Sequence, residues 1–150
     1  MTYDSRKDTL AHIADVASNI HQVIGSLHQR SMEHDLSKLA EPEKSLFDEY
    51  TPKLRNSTYG SEEYERYRAE MGAALQHHYA HNSHHPEHYE NGVAGMTLLD
   101  LIEMLCDWKA ATNRHADGNI GKSLTINKQR FGLDDQLASI LENTIREMGW

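Results

Sequence analysis

A single cysteine, Cys106, is all the thiol this chain contains. That excludes an intramolecular disulfide and a thiolate-rich zinc finger, and it fits a reducing cytoplasm. Long apolar runs are also missing. None approaches the ~18 residues of a membrane span, and the charged start MTYDSRKD leads into no apolar segment of a secretion signal. The expectation is a soluble, cytoplasmic chain without a membrane partner. Basic charge is scarce: 15 Lys and Arg face 23 Asp and Glu, for a formal net charge of -8. Bulk DNA or RNA, which demands clustered Lys and Arg, is thereby excluded as a partner. A small phosphorylated ligand is not, because a bound divalent metal can reverse the field of one pocket. Strand alternation, repeats and low-complexity tracts are absent too.

What is present is helical periodicity. Apolar residues at Leu10, Ile13, Ala17, Ile20, Ile24 and Leu27 recur at spacings of three and four, which predicts one long amphipathic helix over residues 5–30. Pro42 fits the first turn of a short second helix, and Thr51-Pro52 is expected to stop it. Residues 54–60 read as a loop. Ser61, followed by Glu62 and Glu63, reads as the cap of a third helix reaching about residue 80, with His78 facing inward and His77 to one side. Thr97 and Asp100 form a capping-box pattern for a largely apolar helix, LLDLIEMLCDWKAATNR. Residues 115–121 read as a loop, a further helix runs to Phe131 and a stop at Gly132, and the last spans residues 134–148. The expected fold is all-α, about six helices in one domain of residues 1–150, with self-association left open.

The most biased stretch is HHYAHNSHHPEHYENG, residues 77–92, whose first twelve residues hold six of the eleven histidines. Imidazole is the commonest side-chain metal ligand and suits Zn, Fe, Ni and Cu better than Mg or Ca. His78, His84 and His85 are the candidates, the first on a helix and the others on a loop where Pro86 forces His85 toward extended backbone. A polar, solvated loop is the plainer alternative. His34 and Asp35 form an adjacent pair that can chelate one ion from a helix end, with Lys38 a turn away to meet an anion. Asp100, Glu103 and Asp107 share one side of the apolar helix, and a carboxylate covered there needs a partner. Two further strings are decoys. His84-His85-Pro86-Glu87-His88 spells H-x-x-E-H, but Pro86 interrupts the helix that a zinc protease needs. Gly118 to Ser123 has two residues between glycines where a phosphate-binding loop has four.

The order of these elements, a histidine on the first helix, His34-Asp35, histidines on a later helix and loop, then Asp107 in DWKAATNR, resembles the HD superfamily of metal-dependent phosphohydrolases. The strings HDLSKL, EMLCDWKAA and INKQRF, with the histidine stretch, also look like an uncharacterised family of small phage and bacterial proteins. The HD resemblance implies an HD-like helical bundle with His12, His34, Asp35 and Asp107 as the core metal ligands. His78, His84 and His85 would complete or flank a second site. It implies one or two divalent ions per chain, from among Mn, Fe, Zn, Co, Ni or Mg, and a nucleotide or other small phosphate ester hydrolysed by metal-activated water. Asp35 would orient or accept the proton, while Lys38 and Arg114 would meet the phosphate. His21 and His28 are the alternatives to His12. A diiron oxygenase on the same scaffold and a non-catalytic nucleotide-binding module are the rival readings.

Overall fold

The computed structural model describes residues 3–58, 60–114 and 118–150. Seven α-helices account for most of them, and no strand occurs among the described residues. The all-α expectation holds, with seven helices where about six were expected. The chain divides into two compact units, Met1–His34 and Asp35–Trp150.

The first unit is essentially one helix, α1 (Arg6–Glu33), with no buried residue along its length. It runs a turn further than the periodicity predicted. The second unit carries the hydrophobic core. It begins with a 3₁₀ turn, Leu36–Leu39, followed by α2 (Lys44–Asn56). Thr51-Pro52 does not stop α2, which carries Pro52 inside it. Proline costs a helix interior one hydrogen bond and a clash. The next residue, Lys53, has its ammonium 4.1 Å over the Tyr50 ring and 5.9 Å over that of Tyr67 on the next helix. The expected loop accordingly starts only at Ser57; of its residues, 59 lies outside the described ones, as do 115–117 of the later loop.

The third helix is two. Ser61 caps α3 (Glu62–Glu70) by accepting the Tyr64 N–H, as expected, but the helix breaks at Met71 before α4 (Gly72–His81). Met71 is fully buried and Gly72, a poor helix former, follows it. Beyond the break, α4 buries its inward residues Ala74 and His78.

Three helices make the core. α5 (Leu98–Thr112), α6 (Ile120–Phe131) and α7 (Asp135–Glu147) bury Met104, Leu105, Trp108, Ile120, Leu124, Leu133, Leu141 and Ile145 together. The Trp108 and Phe131 rings stack nearly parallel, 6.1 Å apart. Asn119 and Asp134 cap α6 and α7 through side-chain oxygens. Gly132 takes the left-handed conformation, φ 62°, that closes α6, which favours glycine over any residue with a Cβ. No helix is long and apolar enough to cross a membrane among the described residues.

Asp100 ties the histidine segment to this core. The capping box is present, with Thr97 Oγ1 accepting the Asp100 N–H and Asp100 receiving the Thr97 N–H. The carboxylate does more than cap: it is fully buried and also accepts from the Ser83 hydroxyl at 2.7 Å and the Tyr89 hydroxyl at 2.8 Å. Burial alone would raise its pKa, but the bonds from Thr97, Ser83 and Tyr89 outweigh that and hold it well below the usual value. Gly95 supports the same turn, because a Cβ there would come within 2.8 Å of Tyr89 Cβ.

Capping alone implies a loss of about 1 kcal/mol for Asp100→Ala. With the half-buried hydroxyls of Ser83 and Tyr89 losing their acceptor as well, we expect about 3 kcal/mol in urea unfolding. A loss near the capping value would show that the tether to Ser83 and Tyr89 contributes little.

Candidate metal centre

The site grows from the second unit's first residue. Asp35 sits at φ 60°, the left-handed region, as the lead-in to the 3₁₀ turn. Aspartate tolerates this conformation better than most residues with a side chain. The turn brings Lys38 back, and its ammonium lies 2.5 Å from Asp35 Oδ2. The same ammonium sits 4.9 Å from the Phe47 ring centroid. Oδ1, shielded from solvent, faces the histidines.

Three imidazoles converge on that oxygen. His78 Nε2, from α4, is 3.3 Å from Asp35 Oδ1, and His84 Nε2, from the following loop, is 3.6 Å from it. His85 places its Nε2 2.9 Å from His78 Nε2. One ligand atom from each of the four residues lies within 4.8 Å of every other. Ligands about 2.1 Å from a tetrahedral ion stand about 3.4 Å apart, so the closest spacings are those of donors around one cation. Asp107, on α5, places a carboxylate oxygen within 4.8 Å of one of Asp35.

The far nitrogens are held by carboxylates. His78 Nδ1 donates to Glu43 Oε2 at 2.9 Å, and His84 Nδ1 lies 3.2 Å from Glu103 Oε1. A carboxylate on one ring nitrogen fixes the tautomer and turns the other nitrogen's lone pair outward, the usual support for a metal-ligating histidine. Glu43 is fully buried and serves two rings, accepting also from His77 Nδ1 at 2.7 Å and from the Ser37 hydroxyl at 3.0 Å. Burial works to raise its pKa, yet the bonds from His77, Ser37 and His78 keep it below the ordinary value, so it remains an acceptor. Asn82 donates to Ser37 Oγ at 2.8 Å and to the His78 carbonyl at 2.8 Å, locking the end of α4.

His85 is held neutral. Burial first, then the neighbouring His84 and His78, push its pKa down to about 3 from 6.5, against an opposing pull from Asp107. A neutral ring is the form that ligates a cation. Its backbone is extended, ψ 130°, as Pro86 demands, and only a 3₁₀ turn, Pro86–His88, follows. The H-x-x-E-H string is therefore not a helical motif. Exposed His88 donates instead to the Tyr79 carbonyl at 2.7 Å, and Glu87 pairs with Arg130 on α6 at 2.7 Å.

The remaining expected residues lie on or next to α1 and α5. His12 requires correction, because α1 runs unbroken from Arg6 to Glu33. At 1.5 Å per residue His12 lies about 33 Å along that helix from His34, too far for the two to share one ion. His12, His21 and His28 are all exposed. His34 caps α1 as the last residue of the first unit, while the four-residue cluster belongs to the second. Arg114 is exposed just past the end of α5. The supporting residues Glu43, Ser37, Asn82 and Glu103 were not picked out as such from sequence. Glu43 resembled an ordinary acidic helix start, and Glu103 one member of an acidic face.

The His85 shift sets a pH dependence. A histidine neutral in the folded state and titrating at 6.5 when unfolded takes up a proton on unfolding between those values, so acid favours the unfolded chain. Metal-free protein should keep its full stability above pH 6.5 and lose it progressively toward pH 3, with His85→Gln flattening the upper part of that decline. Thermal midpoints across the range test this, and identical slopes in the two proteins would refute it.

No curated protein and no solved structure matches the chain. Residues 1–147 match a family model described as a family of unknown function (DUF5662), and the chain belongs to that family.

Proposed function

We propose that the cluster of Asp35, His78, His84 and His85 is the metal centre of a phosphohydrolase related in chemistry to the HD superfamily, acting on a nucleotide or other small phosphate ester. The observation that carries the reading is the convergence of three imidazole nitrogens and a carboxylate oxygen within 4.8 Å, backed by buried Glu43 and half-buried Glu103. Imidazole with carboxylate suits Mn, Fe, Co, Ni or Zn; Mg prefers oxygen ligands. When bound, such an ion supplies Lewis acidity and a water of lowered pKa.

The chain's own groups divide the remaining work. Asp35 has one oxygen toward the histidines and the other on Lys38, so it can ligate and hold the lysine in place at once. Lys38, about a quarter exposed, is the cation positioned to meet a phosphate oxygen as charge develops. Asp107, near Asp35 and acting on His85, is a further ligand or the group that accepts a proton from water. Arg114 stands about two helical turns beyond Asp107, within reach of a substrate that extends along α5. A protein with a net charge of -8 gains selectivity for phosphate only through such local cations.

Purified protein should carry a transition metal, and its thermal midpoint should fall on chelation. Asp35→Ala and His84→Ala should abolish stoichiometric metal and turnover of a nucleotide and phosphate-ester panel. Lys38→Met should retain the metal while lowering turnover roughly 10²-fold, the scale for losing one transition-state contact. Metal bound stoichiometrically with nucleotide bound and never hydrolysed would favour a sequestering module. Equal metal content in wild type and Asp35→Ala would end the reading.

A further inference from the structure

α1 is a second, independent feature. Its apolar residues Leu10, Ile13, Ala17, Ile20, Ile24 and Leu27 alternate at three and four, a strict heptad of a and d positions over three repeats. Val16 and Val23 fall at g and widen the stripe. Leu10 is 65% exposed, Ile13 56%, Ile20 53% and Ile24 54%, while Val16, Asn19, Ile20, Val23 and Ile24 line a shallow groove. Helices of soluble proteins owe most of their stability to packing such a face, and this one has no buried residue.

We infer that this face pairs with α1 of a second copy of the chain. A 3.5-residue period is the signature of a helix receiving another helix, side chain into hole. From Thr9 to His28 no charged residue occupies an a, d or g position, so two copies meet without burying a charge. Over the 20 residues from Thr9 to His28, about 30 Å long and roughly 12 Å across, three heptad positions in seven offer about 480 Å² per helix, so two together bury about 1,000 Å², the least that a specific interface needs. A lipid surface fits less well, since Arg6, Lys7 and Arg30 are balanced by Asp8, Asp15 and Glu33, leaving no basic face for anionic headgroups.

Sedimentation equilibrium of the full chain over a dilution series, with and without phosphatidylserine vesicles, tests the inference. Wild type should have at least twice the 17.2 kDa of one chain. Ile20→Asp combined with Ile24→Asp should give the single-chain mass, with the Trp108 near-ultraviolet signal and metal content retained. Ile140→Asp, an equally exposed isoleucine on α7, should leave the mass unchanged. A single-chain mass for wild type, floating with vesicles or not, would overturn the pairing. So would an assembly that survives both α1 substitutions.

Discussion

The buried Asp100 carboxylate is the interaction on which the arrangement of the second unit depends. It sits at the start of the core helix α5 and takes hydrogen bonds from Thr97, Ser83 and Tyr89. Ser83 immediately precedes His84, so the position of two candidate ligands follows from how firmly that hydroxyl is held. A candidate ligand loop needs a rigid scaffold to fix it, and here the Asp100 carboxylate forms the joint. The cost of burying a carboxylate is met by saturating its oxygens, as its lowered pKa reflects.

The histidine cluster answers the same cost differently. Glu43 is buried and surrounded by donors, and Asp35 shares its charge between Lys38 and the imidazoles. Yet the two Nε2 atoms of His78 and His85 face each other at 2.9 Å beside a carboxylate oxygen. Only one proton fits between two such nitrogens, and a hydrophobic core would reach the same stability with fewer polar groups to satisfy. A cluster of this kind is a poor use of polar groups for stability alone. The proposed cation, reached by the inward lone pairs, would remove that repulsion and account for the carboxylates behind the rings.

Much of this was legible in the sequence, for reasons that differ by residue. The caps at Ser61 and Thr97, the stop at Gly132 and the inward turn of His78 are local, and residue type with spacing determines them. Asp35, His84 and His85 could be named because histidine density and the His-Asp pair are local signals too. The break at Met71 and the passage of α2 through Pro52 were not legible, since tertiary contacts decide both. Glu43 was missed for the same reason: thirty-four residues separate it from His77, and only folding reveals that one carboxylate serves both His77 and His78. The choice of His12 failed on a length. Periodicity correctly read one long helix, and a helix that long cannot return its own start to its end.

That length also separates two chemistries along one chain. The second unit draws its polar residues inward around a compact cluster while burying an apolar core of its own among α5, α6 and α7. α1 does the reverse, keeping polar side chains out of its stripe and leaving the stripe exposed. Exposed apolar surface of this extent carries a solubility cost that isolated surface leucines do not. The stripe begins at Leu10, 24 residues and about 36 Å of helix before His34. The proposed pairing of α1 answers to helix packing alone, so substitutions in one unit or the other should alter it and the proposed chemistry of the cluster independently.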